Sequence, residues 1–575
     1  MAALLLLGSR SLRWRHDNMW APGVIPSIVW LRHYRREWLR QDLTAGLASA
    51  TVVIPKAMAY ATIAGLPLQV GLYTVLMPMI IYALLGASRP LSVSTTTTLA
   101  ILVAAELGHT VHGGDPGALI AAGATLAVLT GAILVTAYIL RLGFVANFIS
   151  EPVLTGFKSA IGLVIVFDQV PKLLGLHIEK VGFFRDLLSI ARELPHASLA
   201  TAAVSVCLFA LMFGLERFFP RSPVPLIAVG TAIIASTLLD LNEADVAMVG
   251  SFPSSLPTLT WPHFDLVAEM WPGAAGIALM SFTETIAATR AFRAPGEPQP
   301  EPNQELLAVG LANIAGGLFG AMPAGGGTTQ TAVNRKAGAQ TQAAGLVTAA
   351  AAAATMLLFG PVIALMPQAA LAVIVVVYSV DLIRPAEFGA IRRVRYVEFG
   401  WALIAFAGVV LLGTLKGILV AVIASLVSLS QQAYNPPVYE MGRKRGTHMF
   451  RPLSIEHPDD ETWPGLLILR TEGRLFFANA QHFADKVRPL AEQPGLSTVL
   501  LDCSAVIDIE YTAIKMLIEA EEKLRNHGVA LWLAALNREA LAVVQRSKLG
   551  NVLKDDRLFP SLDSAVEHFE RLVVR

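Results

Sequence analysis

Residues 71–102 carry the stretch GLYTVLMPMIIYALLGASRPLSVSTTTTLAIL, which decides the fold. An apolar segment of membrane length ends at a glycine-containing break, and a short threonine-rich segment follows it. The same order recurs at residues 311–333, LANIAGGLFGAMPAGGGTTQTAV. Interrupted apolar segments at matching places in two halves of a chain are typical of membrane proteins built from paired repeats. The sequence therefore predicts a many-span membrane protein.

Composition supports this prediction. The chain has 575 residues, of which 54% are hydrophobic and 15% are charged, with a mean hydropathy of +0.57. Soluble domains carry about 25% charged residues. The 44 basic and 43 acidic side chains give a net charge of +1, so no overall charge favours nucleic acid. Cys207 and Cys503 indicate neither a disulfide nor a metal cage. The opening MAALLLLGSR lacks a leading basic region, so we expect it to be retained.

The apolar segments predict a membrane all-α protein with about fourteen transmembrane helices between Asp42 and Gln432. Two segments, near 95–106 and 327–334, are short and rich in Thr and Gly. We expect a cytoplasmic N-terminal segment at 1–41, a transmembrane domain at 42–432, a linker at 433–449 and a soluble domain at 450–575. The clearest spans lie near 45–63, 119–140, 198–218, 343–366, 398–413 and 414–432.

The distribution of basic residues predicts the orientation of the chain, because Lys and Arg favour the cytoplasmic side. Basic residues before the first span include Arg13, Arg15, Arg32, Arg35, Arg36 and Arg40. Later basic residues fall in every second connection, except for the connection with Lys172, Lys180 and Arg185. An even number of spans then places both termini in the cytoplasm of a multi-pass cell-membrane protein. The later basic residues include Arg141, Arg217, Arg221, Arg290, Arg293, Arg335, Lys336, Arg384, Arg392, Arg393 and Arg395.

The tail after residue 450 has the pattern of a small α/β domain. Its segments LLILRTEGRLFF, STVLLDCSAV and VALWLAAL are predicted to be strands, and TAIKMLIEAEEKLRNHG is predicted to be an amphipathic helix that ends at Gly528.

Two pairs of residues are separated by similar distances in the sequence, which indicates one repeat length of that order. The offset from Thr95 to Thr328 is 328 − 95 = 233, and that from Lys56 to Glu284 is 284 − 56 = 228. Short helices that begin at matching places would direct two N-termini at one anion. The alternative is that threonines and glycines only ease helix packing in lipid. The candidate ligands are the hydroxyls of Thr95, Thr96, Thr97, Thr98, Thr328 and Thr329 and the backbone at Gly325, Gly326 and Gly327.

Lys56 is an ionisable residue deep in a predicted span. Burial of a charge at membrane depth costs free energy, so such a residue is taken to have a functional role. We expect Pro55 to break the helix and to let Lys56 face a cavity near the two short helices. The alternative is an ammonium group that reaches the membrane interface.

Glu284 is the single carboxylate of its span. A buried carboxylate can bind and release a proton in each transport cycle. Sodium would need more oxygen ligands, and the residues one turn on are Ala287 and Ala288, so a proton is the more economical coupling ion. The alternative is a structural ion pair between Lys56 and Glu284, and the two roles are compatible.

Five segments carry a resemblance to a known family. PLQVGLYTVLMPMIIYALLGASR at 67–89 resembles the signature of the SulP sulfate-permease family. NFISEPVLTGFKSAIGL, VGSFPSSLPTLTWP, SFTETIAATRAF and GGGTTQTAVNRKAG also match. The resemblance implies fourteen spans in two inverted seven-helix repeats, an anion between the third and tenth half-helices, and a cytoplasmic STAS domain.

The resemblance also assigns roles to individual residues. Glu284 matches the glutamate of proton-coupled members, and Thr329 and Gln330 match a Ser-Arg pair at the tenth helix. Many members have arginine where Gln330 stands, whereas glutamine often follows the proline of the first span where Lys56 stands. We therefore hypothesise that the fixed positive charge of the site has moved to the first helix. Ser94 and Thr95 replace a Gly-Pro of many relatives, which leaves the substrate open.

The tail segment LDCSAVIDIEYTAIKML resembles the STAS motif that precedes a helix. Thr512 falls on the position that is phosphorylated in some anti-sigma-factor antagonists, although Glu510, Tyr511 and Ala513 differ from that pattern. The alternative is a hydroxyl that caps the helix. We expect the tail to serve folding, homodimer contact or docking of a cytoplasmic protein partner.

These patterns together predict a secondary active transporter of a small inorganic or carboxylate anion, sulfate first, with protons, by movement of one repeat bundle against the other. No P-loop, HExxH or GxSxG pattern occurs, so we expect neither an enzyme nor a cofactor. The open alternatives are a bicarbonate or dicarboxylate transporter of the same family, an uncoupled anion channel, a membrane scaffold, and a nucleobase permease, which the STAS-like tail disfavours.

Overall fold

The computed structural model describes residues 26–32, 34–111, 115–147, 150–176, 178, 183–219, 222–250, 252–293 and 300–573. Most of the segment predicted at 1–41, and Lys180 and Arg221, lie outside these residues. The chain divides into two compact units, Met1–Leu426 and Val427–Arg575.

The first unit is helical. Within the described residues, eight of its helices are long and apolar enough to cross a membrane, and others are shorter but apolar. The prediction of a mostly helical membrane protein is therefore confirmed. The helices are α1 Pro26–Arg32, α2 Arg36–Ile63, α3 Leu68–Leu85, α4 Thr97–Thr110, α5 Pro116–Ile139, α6 Glu151–Leu174, α7 Phe183–Glu193, α8 Leu199–Phe218, α9 Val224–Leu238, α10 Val267–Ala291, α11 Pro302–Leu318, α12 Thr328–Lys336, α13 Ala343–Ala364, α14 Gln368–Val380, α15 Pro385–Val394, α16 Tyr396–Leu412 and α17 Thr414–Tyr434.

Two very short strands interrupt this helical order. Strand β1, Val93–Ser94, precedes α4, and strand β2, Gly325–Gly326, precedes α12. Both strands are buried. They make α4 and α12 begin inside the unit rather than at its surface, so the two short segments predicted near 95–106 and 327–334 are indeed short helices.

Glycines allow the helices to pack closely in two groups. A Cβ built on Gly46 of α2 would lie 2.5 Å from the Ala344 carbonyl oxygen of α13, and one on Gly131 of α5 would lie 2.5 Å from the Gly310 carbonyl oxygen of α11. In the second group, a Cβ on Gly156 of α6 would lie 2.0 Å from the Ala402 carbonyl oxygen of α16. We call α2–α5 and α10–α13 the first bundle, and α6, α8, α9, α14 and α16 the second bundle.

The loop before β1 is held by buried polar side chains. The Tyr82 hydroxyl donates to Glu305 Oε2 at 2.8 Å, at the start of α11. Gln342 Nε2 donates to the carbonyl oxygens of Ser88 at 2.6 Å and Leu91 at 2.9 Å. The segment 67–89, which carries the family resemblance, is therefore anchored to the second half of the chain.

The second unit is an α/β domain. Its six-stranded sheet has the order β10-β9-β7-β5-β3-β4, with β5, β7, β9 and β10 parallel. Its elements are β3 Val438–Arg443, β4 Phe450–Pro452, β5 Leu466–Thr471, β6 Gly473–Leu475, α18 Ala480–Ala491, β7 Thr498–Asp502, β8 Val506–Ile509, α19 Tyr511–Asn526, β9 Ala530–Ala534, α20 Arg538–Arg546, α21 Lys548–Leu553, β10 Leu558–Phe559 and α22 Leu562–Val573.

This domain differs from the sequence prediction in two places. The segment LLILRTEGRLFF is two strands rather than one, because Gly473 has a φ of +91°, which turns the chain out of β5 and into β6. Strand β3 lies in the segment 433–449 that was predicted to be a linker, and it pairs antiparallel with β5.

Candidate functional site

The two half-helices begin side by side because β1 and β2 pair with each other. Val93 lies opposite Gly326 and Ser94 lies opposite Gly325 in an antiparallel register. The Gly327 N–H also donates to the Ser92 carbonyl oxygen at 3.1 Å. Two helix N-termini, 231 residues apart in sequence (328 − 97 = 231), therefore lie at one place in the fold.

The N-terminus of α4 is capped by Thr96, whose hydroxyl oxygen accepts from the Leu99 N–H at 3.3 Å. The same hydroxyl donates to Glu284 Oε2 on α10 at 2.7 Å. Both side chains were predicted site residues, but their hydrogen bond was not predicted. The cap of the first half-helix is thus linked directly to the buried carboxylate proposed for proton coupling.

The N-terminus of α12 is bound to the opposite half-helix through Gln330. The Gln330 amide donates from Nε2 to Ser94 Oγ at 2.9 Å and to the Thr95 carbonyl oxygen at 3.3 Å. Its Oε1 lies 1.6 Å from where a Cβ on Gly327 would be, so a side chain at this position would displace the Gln330 amide. Gln330 therefore connects the two half-helices, and its amide group occupies part of the space between them.

The loops before the half-helices are supported by α10 and α11. Thr285 Oγ1 accepts from the Gly326 N–H at 2.9 Å, and Ser281 Oγ donates to the Ala324 carbonyl oxygen at 2.6 Å. The Asn313 amide bonds both the N–H and the carbonyl of Ala324, at 2.8 and 3.0 Å. Sequence reasoning missed Ser281, Thr285 and Asn313 because small polar residues within spans give no distinct signal.

Some hydroxyls at the half-helix N-termini are not used by the protein itself. Thr95 is fully buried, and its Oγ1 has no hydrogen-bond partner among the described residues. Thr328 and Thr329 are exposed, whereas Thr97 and Thr98 are buried. Thr95, Thr328 and Thr329 can therefore offer donors to a bound ligand without breaking a bond within the protein.

Lys56 lies on α2 and packs against α14. It is 1% exposed, and its Nζ lies 3.4 Å from the centroid of the Tyr378 ring, with no hydrogen bond within the described part of the chain. Asp381 and Glu216 are the carboxylates whose charges act on it. The structure shows no ion pair between Lys56 and Glu284, which was the alternative to a transport role. Sequence analysis gave no indication of Tyr378, Asp381 or Glu216.

Two local expectations need correction. Helix α2 continues through Pro55 without a break, because the missing N–H is tolerated where neighbouring helices pack around the turn. Thr512 is exposed in the first turn of α19, but the N-cap position is Glu510, so Thr512 does not cap the helix. Its exposure leaves the predicted modification untested. No group of side chains suited to a metal ion occurs among the described residues.

Comparisons with known sequences cover most of the chain. The family model described as the sulfate permease family matches residues 39–405, and the STAS domain model matches residues 457–565. A "Probable sulfate transporter" of Mycobacterium tuberculosis is 34% identical over 557 residues, covering 96% of this chain and 98% of that protein. "Sulfate transporter 4.1, chloroplastic" of Arabidopsis thaliana is 28% identical, covering 95% of this chain and 83% of that protein.

Comparisons with solved structures match the fold. The murine Solute Carrier 26 family member A9 anion transporter in the inward-facing state gives a TM-score of 0.87 at 22% identity, covering 95% of this chain and 93% of that chain. The transmembrane domain of a cyanobacterial bicarbonate transporter gives a TM-score of 0.59 at 23% identity, covering 68% of this chain and 98% of that chain. These likenesses concern the architecture alone.

Proposed function

This chain belongs to the sulfate permease family, and from that premise we propose that it is a secondary transporter that carries sulfate into the cell together with protons. The resemblance noticed at residues 67–89 is thereby confirmed, and the relatives of the chain are transporters rather than enzymes. The observation that carries the proposal is the pair of half-helix N-termini joined through β1 and β2.

The anion would bind between these N-termini. Unpaired N–H groups and the positive ends of two helix dipoles favour a negative charge there. Thr95 Oγ1, which has no partner in the described part of the chain, and the exposed hydroxyls of Thr328 and Thr329 add donors. Gln330 stands between the helices as a neutral group, so the binding free energy would come from dipoles and hydrogen bonds rather than from an adjacent arginine.

The spacing of the helices supports two inverted repeats of seven spans. Counting α2–α6, α8–α14, α16 and α17 as spans makes α4 the third and α12 the tenth. Helix α13 begins 343 − 116 = 227 residues after α5, and α11 begins 302 − 68 = 234 residues after α3, close to the offset between the half-helices. The antiparallel pairing of β1 with β2 agrees with an inverted relation between the halves.

Proton coupling would act through Glu284. This carboxylate is buried, and its one donor within the described residues is the Thr96 hydroxyl that caps α4. A proton on Glu284 removes the negative charge beside the anion site, so proton and anion would bind together. Without the proton, the carboxylate would repel the anion.

Alternating access would move the two bundles against each other. Each bundle contains helices from both halves of the sequence, so the moving parts would be mixed bundles rather than the two repeats themselves. Lys56 on α2 and Tyr378 on α14 belong to different bundles, so their contact would change during the cycle. We also place the protein in the cell membrane with both termini in the cytoplasm, as a homodimer, on the basis of its basic residues and its family.

Reconstitution into proteoliposomes tests this proposal. Labelled sulfate, bicarbonate and C4-dicarboxylates are offered under an imposed proton gradient, an imposed sodium gradient, or neither. We expect the proton gradient to accelerate sulfate uptake, and Glu284→Gln to abolish the acceleration while retaining exchange of labelled for unlabelled anion. Acceleration by sodium alone would refute the coupling ion, and uptake of bicarbonate in preference to sulfate would refute the substrate.

A further inference from the structure

Helices α4 and α10 run antiparallel and meet at two carboxylates, of which the proposed function uses one. Glu284 on α10 accepts from Thr96 at the start of α4. Near the other end of α4, the carboxylate of Glu106 lies against Gly273 of α10. Ten residues separate Thr96 from Glu106, and eleven separate Gly273 from Glu284, so both contacts fit one register. The two contacts lie about 15 Å apart along the helices.

The side chain of Glu106 is enclosed by the protein. Glu106 is 4% exposed, and a Cβ on Gly273 would lie 2.0 Å from its Oε2 and 2.9 Å from its Oε1. Glycine at 273 therefore creates the space that the carboxylate fills. In the residues that the structure describes, no donor contacts this carboxylate, since Thr110 donates to the Glu106 backbone carbonyl instead.

A second carboxylate lies one helical turn from the Glu106 contact with Gly273. Glu269 is exposed one helical turn before Gly273, and its charge acts on Glu106. A carboxylate that is buried without a cation and beside a like charge is costly, and binding a proton removes that cost. Helix α2 carries no charged residue after Lys56. Among the described residues, the other titratable or charged groups at this end of α4 and of the elements packed against it are Tyr60, His109, Asp115, Asp168, Lys172, His263 and Asp265.

We propose that Glu106, beside the solvent-exposed Glu269, is a second proton-binding site of the transport domain, at the opposite end of the α4–α10 interface from Glu284. The proposal deepens the proposed function, because it assumes that the domain transports an anion through the site at the start of α4. In its protonated form Glu106 packs against Gly273 and holds α4 on α10. When Glu106 is ionised, repulsion by Glu269 loosens the same interface.

The effect on transport follows from the continuity of α4. The helix has fourteen residues, begins next to Thr96 at the anion site and contains Glu106 near its other end. A loosened contact at Glu106 therefore displaces the N-terminus that faces the anion. The pH on the side of Glu269 thereby controls the fraction of molecules with an assembled site, independently of the proton gradient that drives uptake.

The test measures exchange of labelled for unlabelled sulfate in proteoliposomes with equal pH on both sides, from mildly acidic to mildly alkaline. Equal pH removes the driving force, so the profile reports the protonation of the protein. We expect exchange by the wild-type protein to fall as the pH rises. Glu106→Gln, which imitates the protonated form, should flatten the profile in part, with a severalfold gain over the wild type at the alkaline end. The fall that remains reflects Glu284 and should disappear when Glu284→Gln, which retains exchange, is added to Glu106→Gln.

Two further variants separate this role from a packing role. Glu106→Asp retains a titrating group and should keep the fall in exchange, whereas a packing role predicts equal loss at every pH. Glu243→Gln, which changes an exposed carboxylate in a loop, is the matched control and should leave the profile unchanged. Gly273→Ala, which displaces the Glu106 carboxylate, should move the fall in exchange toward lower pH.

The outcome distinguishes this inference from the proposed function. If Glu106→Gln folds and its profile coincides with that of the wild type, Glu106 is not a proton-binding site, even if proton-driven uptake is intact. If exchange by Glu106→Gln and Glu106→Asp is lost equally at every pH, the residue serves packing alone. If a proton gradient fails to drive uptake while Glu106→Gln still flattens the profile, proton coupling is refuted and the second site stands.

Discussion

Lys56 is buried in the membrane domain, and its Nζ contacts an aromatic ring rather than a carboxylate. Its ammonium group lies over the face of Tyr378, which joins α2 of the first bundle to α14 of the second. A desolvated contact between a cation and a ring is worth about 2 kcal/mol. Asp381 and Glu216 supply negative charge at longer range. The residue thus connects the electrostatics of the domain to the boundary between its bundles.

We expect Lys56→Gln to reduce sulfate uptake by about tenfold or more, since it removes both the charge and the contact with Tyr378. Lys336→Gln, at the exposed end of α12, should have little effect. Initial uptake rates in proteoliposomes at matched protein content measure the difference. Tyr378→Phe keeps the ring and should transport nearly normally, whereas Tyr378→Leu should resemble Lys56→Gln. Equal rates for Lys56→Gln and Lys336→Gln would contradict the role of Lys56.

Sequence reasoning names the candidate site residues but not the residues that they contact. Thr96, Glu284 and Lys56 were singled out because charges and clustered hydroxyls are rare at membrane depth. The bond from Thr96 to Glu284 and the contact of Lys56 with Tyr378 depend on how α2, α4, α10 and α14 are rotated about their axes. The sequence of a helix that is apolar on nearly every side does not show which face packs against its neighbours. These contacts therefore could not be predicted from the sequence.

Gly327 determines how the N-terminus of α12 contacts the opposite half-helix. The side chain of Gln330 folds back over Gly327 and reaches across to Ser94 and Thr95. The N–H of Gly327 is bonded to Ser92, so this residue lies at the junction between β2, α12 and the opposite loop. A side chain here would displace Gln330 and remove its bonds to the opposite half-helix.

Gly327→Ala should lower sulfate uptake, because the added Cβ takes the place of the Gln330 amide, which must turn away and lose its bonds to Ser94 and Thr95, at about 0.5–1.5 kcal/mol for each bond. Gly214→Ala in α8 has open space around the new Cβ and serves as the matched control. Uptake rates and the thermal unfolding temperature of the purified proteins are measured together. Normal uptake by Gly327→Ala would show that the Gln330 bridge is dispensable.

The elements themselves were largely predictable, except strands β1 and β2. Helices at 116–139, 199–218, 343–364 and 414–434 agree closely with the predicted spans, because continuous apolar segments of that length have few alternatives. Helix α2 begins at Arg36, nine residues before the predicted start, because it continues into the polar region. Strands β1 and β2 have two residues each, and their pairing depends on a partner in the other half of the chain.

The whole transport domain has an orientation that the positions of its basic residues predict. Ser255, in the connection between α9 and α10, is exposed and belongs to a region without Lys or Arg, whereas Arg393 is exposed near the end of α15. The count of basic residues assigns Ser255 to the outside and Arg393 to the cytoplasm.

We therefore expect Ser255→Cys to react with a membrane-impermeant maleimide in intact cells, and Arg393→Cys to react only after the cells are permeabilised. Both changes are made together with Cys207→Ser. The remaining thiol, Cys503, is buried, and burial raises its pKa, so it contributes little thiolate to the labelling. Labelling in the reverse order would invert the predicted topology. The Cys207→Ser protein without either introduced cysteine measures the background labelling.

The pairing of β1 with β2 also determines when the protein becomes complete during synthesis. The ribosome releases β1 and α4 into the translocon well before β2 and α12 have been made. Until then β1 lacks its partner strand β2, and the N-terminus of α4 lacks the N-terminus of α12 beside it. A nascent chain that stops between the two halves therefore lacks one of the two N-termini that form the proposed anion site. Conversely, if the chain is cut in the connection between α9 and α10 and both fragments are produced in the same cell, the two fragments together contain both half-helices of the site.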